Sequence, residues 1–262
     1  MNLTLEGKRA LVCGSSQGIG QAIAMELAQM GASITLFARN AEKLREVKQE
    51  LPSGDDQDHE FLVADFNDAS AVKTALTDYL SMGRRIDILI NNSGGPPGGP
   101  ASEAKLEEFR LAFERHVIVS QLITGLVLEG MKENGFGRII NIISTSVKAP
   151  IPGLGVSNTI RGAVANWAKT LSIELGPSGI TVNNVLPGAT MTGRLQSIIE
   201  SKAEKQGITV EQVEQGMMAE IPARRFAEPG EVAIAAAFLC SIEAGYINGI
   251  NLPVDGGRLP NL

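Results

Sequence analysis

The first stretch whose residue types and spacing could do chemistry is Gly14-Ser15-Ser16-Gln17-Gly18-Ile19-Gly20. Glycines at 14, 18 and 20 let a backbone turn tightly and approach a ligand closely. The apolar run at 10–13 reads as a buried strand. Residues 21–30 read as a helix with Ile23, Leu27 and Met30 on one face, stopped by Gly31. Strand, glycine-rich turn and helix N-terminus together make a site for the pyrophosphate of a dinucleotide, because the free N–H groups of the first helical turn hold an anion. A tight strand-to-helix turn that binds nothing is the alternative.

Further apolar runs at 32–38, 61–64, 86–90, 139–143, 180–186 and 247–254 read as strands. Helical patterns at about 41–51, 69–80, 102–132, 157–175 and 228–239 fall between them. This βαβα rhythm, with nearly continuous apolar strands, argues for one α/β domain built on a parallel sheet covered on both faces. Residues 193–222 are polar, with helical patterning broken near Gly207. Their apolar positions Ile198, Val210, Val213, Met217 and Met218 predict a lid over an apolar pocket, or else a solvated helix pair. The stiff Pro/Gly loop 96–100 is expected to form another wall.

Composition narrows the chemistry. The 262 residues suffice for one large core and carry a net charge of −6 with no basic run, which argues against nucleic acid. No run of about 18 apolar residues offers a bilayer span. The N-terminus lacks the apolar core of a signal peptide, so a cytoplasmic location is expected. Cys13 and Cys240 lie in apolar runs and read as buried free thiols. The two histidines, His59 and His116, sit in no ligand cluster, so no metal site is expected.

In chain order, Gly14–Gly20, Asp65, Asn91-Asn92-Ser93-Gly94, Gly137-Arg138-Ile139-Ile140-Asn141, Val182-Asn183-Asn184-Val185-Leu186-Pro187-Gly188 and the ending Tyr246-Ile247-Asn248-Gly249 to Asp255-Gly256-Gly257 form a pattern. It resembles the short-chain dehydrogenase/reductase family, close to 3-oxoacyl-acyl-carrier-protein reductases, over about residues 5–257. The resemblance implies a single-domain Rossmann fold of about seven strands. It also implies that the helices at about 102–132 and 157–175 pack against another subunit, in a homotetramer or homodimer.

The same resemblance assigns a nicotinamide dinucleotide to Gly14, Ser15, Ser16, Gln17, Gly18, Ile19, Gly20, Arg39, Asp65, Phe66, Asn91, Ser93, Gly94, Arg161, Pro187, Gly188, Ala189 and Thr192. Asp65 at a strand end can accept the adenine amino hydrogens. Arg39 follows the second strand, and Ala38 stands where an NAD enzyme carries an acid. A cation without an acid suits a 2′-phosphate, so NADP is expected and NAD remains possible. Many NADP-using relatives add a basic residue in the glycine loop, where this chain has Gln17.

The family's chemistry uses an Asn, a Ser, a Tyr and a Lys. The matching positions here are His116, Ser144, Ser157 and Arg161. Only the serine is kept. Arg161 keeps a positive charge one helical turn from Ser157 and can hold ribose hydroxyls, but it is a poor proton shuttle. His116 either titrates near neutrality and donates the proton, or is a hydrogen-bonded core residue on an apolar stripe with Phe113 and Ser120. Lys148 is a further cation near the mouth, or an exposed loop lysine. The tyrosines, Tyr79 and Tyr246, lie away from the strand ends where open α/β sheets bind substrate. The resulting expectation is an NADP-dependent reductase of a ketone or 3-oxoacyl thioester, slowed by the missing general acid, which is typically worth ~10²–10⁴-fold. The alternatives are a nucleotide-binding sensor or regulatory protein with lost chemistry, and non-redox chemistry such as dehydration.

Overall fold

Along the first strand, β1 (Arg9–Cys13), Ala10 and Val12 face one way and Leu11 and Cys13 the other, and all four are buried. A strand apolar on both faces must lie inside a sheet covered on both sides. The computed structural model, which describes residues 3–261, shows this sheet. Its other strands are β2 (Ser33–Ala38), β3 (Glu60–Val63), β4 (Ile88–Asn91), β5 (Gly137–Ile142), β6 (Ile180–Pro187) and β7 (Asn251–Val254). The order is β3-β2-β1-β4-β5-β6-β7, with every pair parallel. The chain reverses direction across the sheet between β1 and β4, which opens a crevice at their carboxyl ends.

One face is covered by α1 (Gly18–Gln29), α2 (Ala41–Glu50) and α9 (Pro229–Cys240), through Ile23, Leu27, Leu44, Val232 and Leu239. The other is covered by α3 (Ala69–Ser81), α5 (Val119–Glu133) and α6 (Gly155–Leu175), through Val72, Leu76, Ile123, Val127 and Ala168. Side-chain caps set several starts: Asn40 accepts from Lys43 N at 3.0 Å and Asp68 from Ala71 N at 2.9 Å. Both cysteines are buried and free, and burial raises both thiol pKa values, Cys240 to about 12.

Two expectations about the helix at 102–132 change. It begins at Leu106, and a π-helical turn, Glu114–Ile118, divides α4 (Leu106–Phe113) from α5. Such a turn inserts one residue into the helical register, and His116 on it is buried. Leu106–Glu133 is also long and apolar enough to cross a bilayer by length and composition, although its apolar residues are not continuous. In the fold Val119, Ile123, Val127 and Met131 form part of the core, while Leu111, Phe113 and Ile118 are exposed.

The segment 193–222 forms α7 (Gly193–Gln206) and α8 (Val210–Ala219), separated by Gly207 with φ +64°. They share a small core of Leu195, Ile199, Ala203, Val213, Ile221 and Phe226. The cap at Thr192 sets the phase of α7, so Ile199 faces inward rather than the expected Ile198, and Val210 is exposed. The last strand is shorter than 247–254: over residues 247–250 the backbone pairs with β6 through Gly249 N–H on Val182 O at 3.0 Å and Asn184 N–H on Ile250 O at 2.9 Å, and the Asn248 and Asn183 side chains supply the remaining bonds.

Candidate active site

The turn after β1 has no room for side chains at two of its glycines. Gly14 has φ +60°, and a Cβ there would lie 2.7 Å from Asn92 O; a Cβ on Gly20 would strike the Gly14 carbonyl. Asn92 holds the turn by donating from Nδ2 to Cys13 O and Gly14 O at 3.3 and 3.2 Å. Ser15 is buried and its Oγ accepts from Phe37 N at 2.9 Å, so what it offers a ligand is its backbone. Ile19 packs on the core. Gln17 precedes α1 without a side-chain cap, and the first turn holds no acid. The opening N–H groups of α1 are therefore available to an anion.

In front of this turn lies a cleft of about 220 Å³ lined by Gly14, Ser16, Gln17, Arg39, Asp65, Phe66, Ser93 and Gly94. Eight of the sequence-derived candidates thus share one space. Arg39 and Asp65 face each other across it with 3.8 Å between Nη1 and Oδ2, and both are largely exposed. Lys43, from the first turn of α2, donates from Nζ to Gln17 Oε1 at 3.3 Å. The basic residue lacking in the loop's own sequence is thus delivered by the neighbouring helix. Arg115 and Asn67, with Ala38 and Ala64, complete the lining. Arg115 donates from Nε to Asn67 Oδ1 at 3.0 Å and from Nη1 to Gly94 O at 3.1 Å. Asn67, Lys43, Asn92 and Arg115 were not singled out in the sequence, where only the doublet Asn91-Asn92 hinted at one of them.

Behind the cleft, and sharing Phe66, Ser93 and Arg115 with it, is a cavity with about 20 Å³ of room for water. Asn91, His116, Asn141, Ile142 and Arg161 also line it. Asn91 is one end of an in-register amide ladder: Asn91, Asn141 and Asn184 each donate from Nδ2 to Oδ1 of the next strand's Asn, ending at Asn251, at 3.0, 2.9 and 2.8 Å. The ladder runs across β4–β7 and engages the Asn91 side chain.

His116 corrects an expectation. Its Nδ1 lies 2.9 Å from Ser93 Oγ, and its Nε2 is buried without a partner. Burial first, then the Arg161 and Arg115 charges, hold its pKa down to about 2. It is neutral throughout the ordinary pH range and does not titrate near neutrality. Of the two readings of His116, its burial and its contact with Ser93 match the hydrogen-bonded core residue.

Arg161 is buried on α6 and donates from Nη1 to Ile142 O at 3.1 Å, two residues before Ser144. Ser144 is half-buried at the end of β5, where its Oγ accepts from Ser146 N at 3.1 Å and caps a short 3₁₀ turn. Ser157 is half-buried in the first turn of α6, one turn before Arg161. Neither serine lines the cavity or the cleft. Gly188 follows β6, with its N–H on Val254 O at 2.9 Å, and a Cβ there would meet Asp255 at 2.8 Å. Pro187 and Ala189 flank it, and Ala189 packs on the α7–α8 core. Thr192 caps α7, and its methyl group would be 3.3 Å from a Cβ on Gly18. Tyr79 is engaged by Thr35 and Glu60, and Tyr246 is fully exposed.

A family profile described as Enoyl-(Acyl carrier protein) reductase matches residues 14–258. The NADPH-dependent reductase BacG of Bacillus subtilis (strain 168) is 31% identical over 256 residues, covering 97% of this chain and 99% of that protein. This chain belongs to the short-chain dehydrogenase/reductase family. Among other members of that family, 7alpha-hydroxysteroid dehydrogenase of Escherichia coli (strain K12) is 32% identical over 263 residues, covering 100% of this chain and 98% of the relative. The structure of L-sorbose reductase from Gluconobacter frateurii, complexed with NADPH and L-sorbose, superposes with a TM-score of 0.93 at 30% identity, each chain covered in full. The short-chain dehydrogenase/reductase fold, with its seven-stranded parallel sheet, is thus shared in full.

Proposed function

We propose that the protein is an NADP-dependent reductase of a carbonyl compound, a ketone or a 3-oxoacyl thioester, working through a Ser/Arg site. The observation that carries the nucleotide half is the side-chain-free turn at Gly14 and Gly20, where the cradle a Cβ would fill stays open beneath the uncapped start of α1. The donors around it fit NADP. Arg39 and Lys43 supply two cations at the cleft, Asp65 is an acceptor for an adenine amino group, and relatives of this chain are NADPH-dependent reductases or NADPH-bound structures. When bound, the nicotinamide supplies hydride.

The chain's own residues do the rest. Ser144 Oγ, at the end of β5, holds the substrate oxygen with Ser157. Arg161 holds ribose hydroxyls and places a fixed positive charge next to both serines. No side chain here replaces a phenol as proton donor: His116 is locked neutral, and Arg161 keeps its proton even though burial lowers its pKa to about 10. Water is therefore the proton source, and turnover is slow. The α7–α8 pair forms the lid, tied to the Pro/Gly loop by Arg194, which donates from Nη2 to Pro96 O at 2.6 Å. The exposed Leu111, Phe113 and Ile118 and the open groove between α4 and α6 support assembly with further copies in a homodimer or homotetramer. A second reading, a nucleotide-binding sensor, is favoured by the lack of a proton donor.

The test is NADPH oxidation across a panel of ketones and 3-oxoacyl thioesters. Activity with at least one carbonyl, abolished in Ser144→Ala while NADPH affinity stays within about twofold, supports the reductase. NADPH binding with no turnover of any carbonyl favours the sensor.

A further inference from the structure

The π-helical turn Glu114–Ile118 carries two consecutive side chains, Arg115 and His116, to the carboxyl ends of the strands. Single turns of this kind recur at functional sites. His116 is absorbed by the core, whereas Arg115 is half-buried and extends into the nucleotide cleft. Its guanidinium is stretched between the loops that follow β3 and β4. Nε and Nη2 both donate to Asn67 Oδ1, and Nη1 donates to the Gly94 carbonyl. Asn67 is fixed in turn, donating from its backbone N and from Nδ2 to Asp65 Oδ1, each at 3.0 Å.

These bonds decide which part of Arg115 a ligand meets. A guanidinium is a flat cation whose donors all lie in its plane. With its edges tied to Asn67 and Gly94, the plane is held and its faces are left bare. Among the described residues no aromatic ring of the protein covers them and no carboxylate pairs with the charge. A fixed, flat cation of this kind is a platform for an electron-rich planar ring. The cleft lining offers no aromatic alternative: its one aromatic residue, Phe66, is turned into the core, edge-on to Phe37. Arg39 is 75% exposed and directed at Asp65, so it is not held flat.

We propose that Arg115 is the stacking platform for the purine base of the dinucleotide, acting through the face of its guanidinium and not through an edge-on ion pair. The inference rests on the nucleotide reading above, in which Asp65 accepts the amino hydrogens of the base. Asn67 joins Asp65 to Arg115, so a base held by that carboxylate lies beside the guanidinium plane. The cations of the cleft thereby divide by task. Arg39 and Lys43 meet phosphate, and Arg115 meets the base that NADPH and NADH share.

Affinity is read by fluorescence titration of both nucleotides into the nucleotide-free protein, with no carbonyl present. Arg115→Leu weakens NADPH and NADH by the same factor, about five- to thirtyfold, the range for a cation over a ring in a partly desolvated site. Arg115→Phe stacks on a base but makes none of the bonds to Asn67 and Gly94, and it returns affinity to within about threefold of wild type. Arg115→Lys keeps the charge without the plane and does not. A loss below about twofold in Arg115→Leu, a loss confined to NADPH, or rescue by Lys overturns the proposal. Equal weakness of the Leu and Phe variants also overturns it and leaves Arg115 the task of holding Asn67 and Gly94. A wild type that binds neither nucleotide sinks the cofactor reading itself, whereas wild-type binding with an indifferent Arg115→Leu sinks this inference alone. If a variant does not fold, a crystal structure of the wild type with ADP-ribose decides. A purine parallel to the guanidinium with its centroid within about 6 Å supports the platform, and a purine seated elsewhere overturns it.

Discussion

The Arg39→Gln substitution tests the nucleotide assignment most directly. The Arg39 side chain is 75% exposed and its pair with Asp65 spans 3.8 Å, so in the empty cleft that contact contributes no more than about 1 kcal/mol. Removing the guanidinium therefore leaves the fold intact, and the loss falls on whatever anion it meets. A hydrogen bond to a charged group contributes about 1.5–3 kcal/mol, and at this exposure the lower end applies. At 1.4 kcal/mol per tenfold, NADPH affinity falls by about tenfold. Lys43, an exposed point charge on Gln17, adds about 0.5–1 kcal/mol, so the double variant Arg39→Gln/Lys43→Gln loses about 30- to 70-fold. NADH, lacking the 2′-phosphate, changes by less than about twofold. The assay is a fluorescence titration of both nucleotides at low and physiological salt, and the NADPH advantage shrinks with ionic strength. Equal losses for NADPH and NADH, or a wild type with no preference between them, refute the assignment of these cations to a 2′-phosphate.

Two further perturbations probe the ground beneath the site. His116 is held neutral in the fold with a pKa of about 2, against about 6.5 in an unfolded chain. The unfolded state thus binds more protons as pH falls below about 6.5, and stability drops on that side by up to about 1.4 kcal/mol per pH unit. Urea unfolding at pH 7 and 5.5 shows this slope in the wild type and a flatter one in His116→Asn; identical slopes count against a buried neutral histidine. In the amide ladder, Asn184→Leu strands the buried Asn141 Nδ2 and the half-buried Asn251 Oδ1, and costs about 2–4 kcal/mol by urea midpoint. A cost below about 0.5 kcal/mol removes the ladder from any account of how β4–β7 are held in register.

The sequence alone determined the architecture and the nucleotide turn, because both are written in local patterns. The continuous apolar run of β1, the run of glycines and the helix phase of Ile23 and Leu27 need only neighbouring residues to be read. Hence the parallel sheet and the tight turn at Gly14 and Gly20 were legible before any fold was seen, whereas the candidates that line the cleft beyond that loop came from the family resemblance. Tertiary structure decided what lies between distant residues. Lys43 reaches Gln17 only because α2 packs beside the turn. The four ladder asparagines, spread from 91 to 251, meet only through strand register. The π-helical turn and the exact burial of His116 depend on packing of α5 against the sheet, and they convert a residue that titrates near neutrality in water into one that does not titrate at all in the working range. The same burial leaves Arg161 as a cation without a counter-charge. Sequence shows that the residue is an arginine. Desolvation, which depends on every neighbour at once, decides what that charge demands.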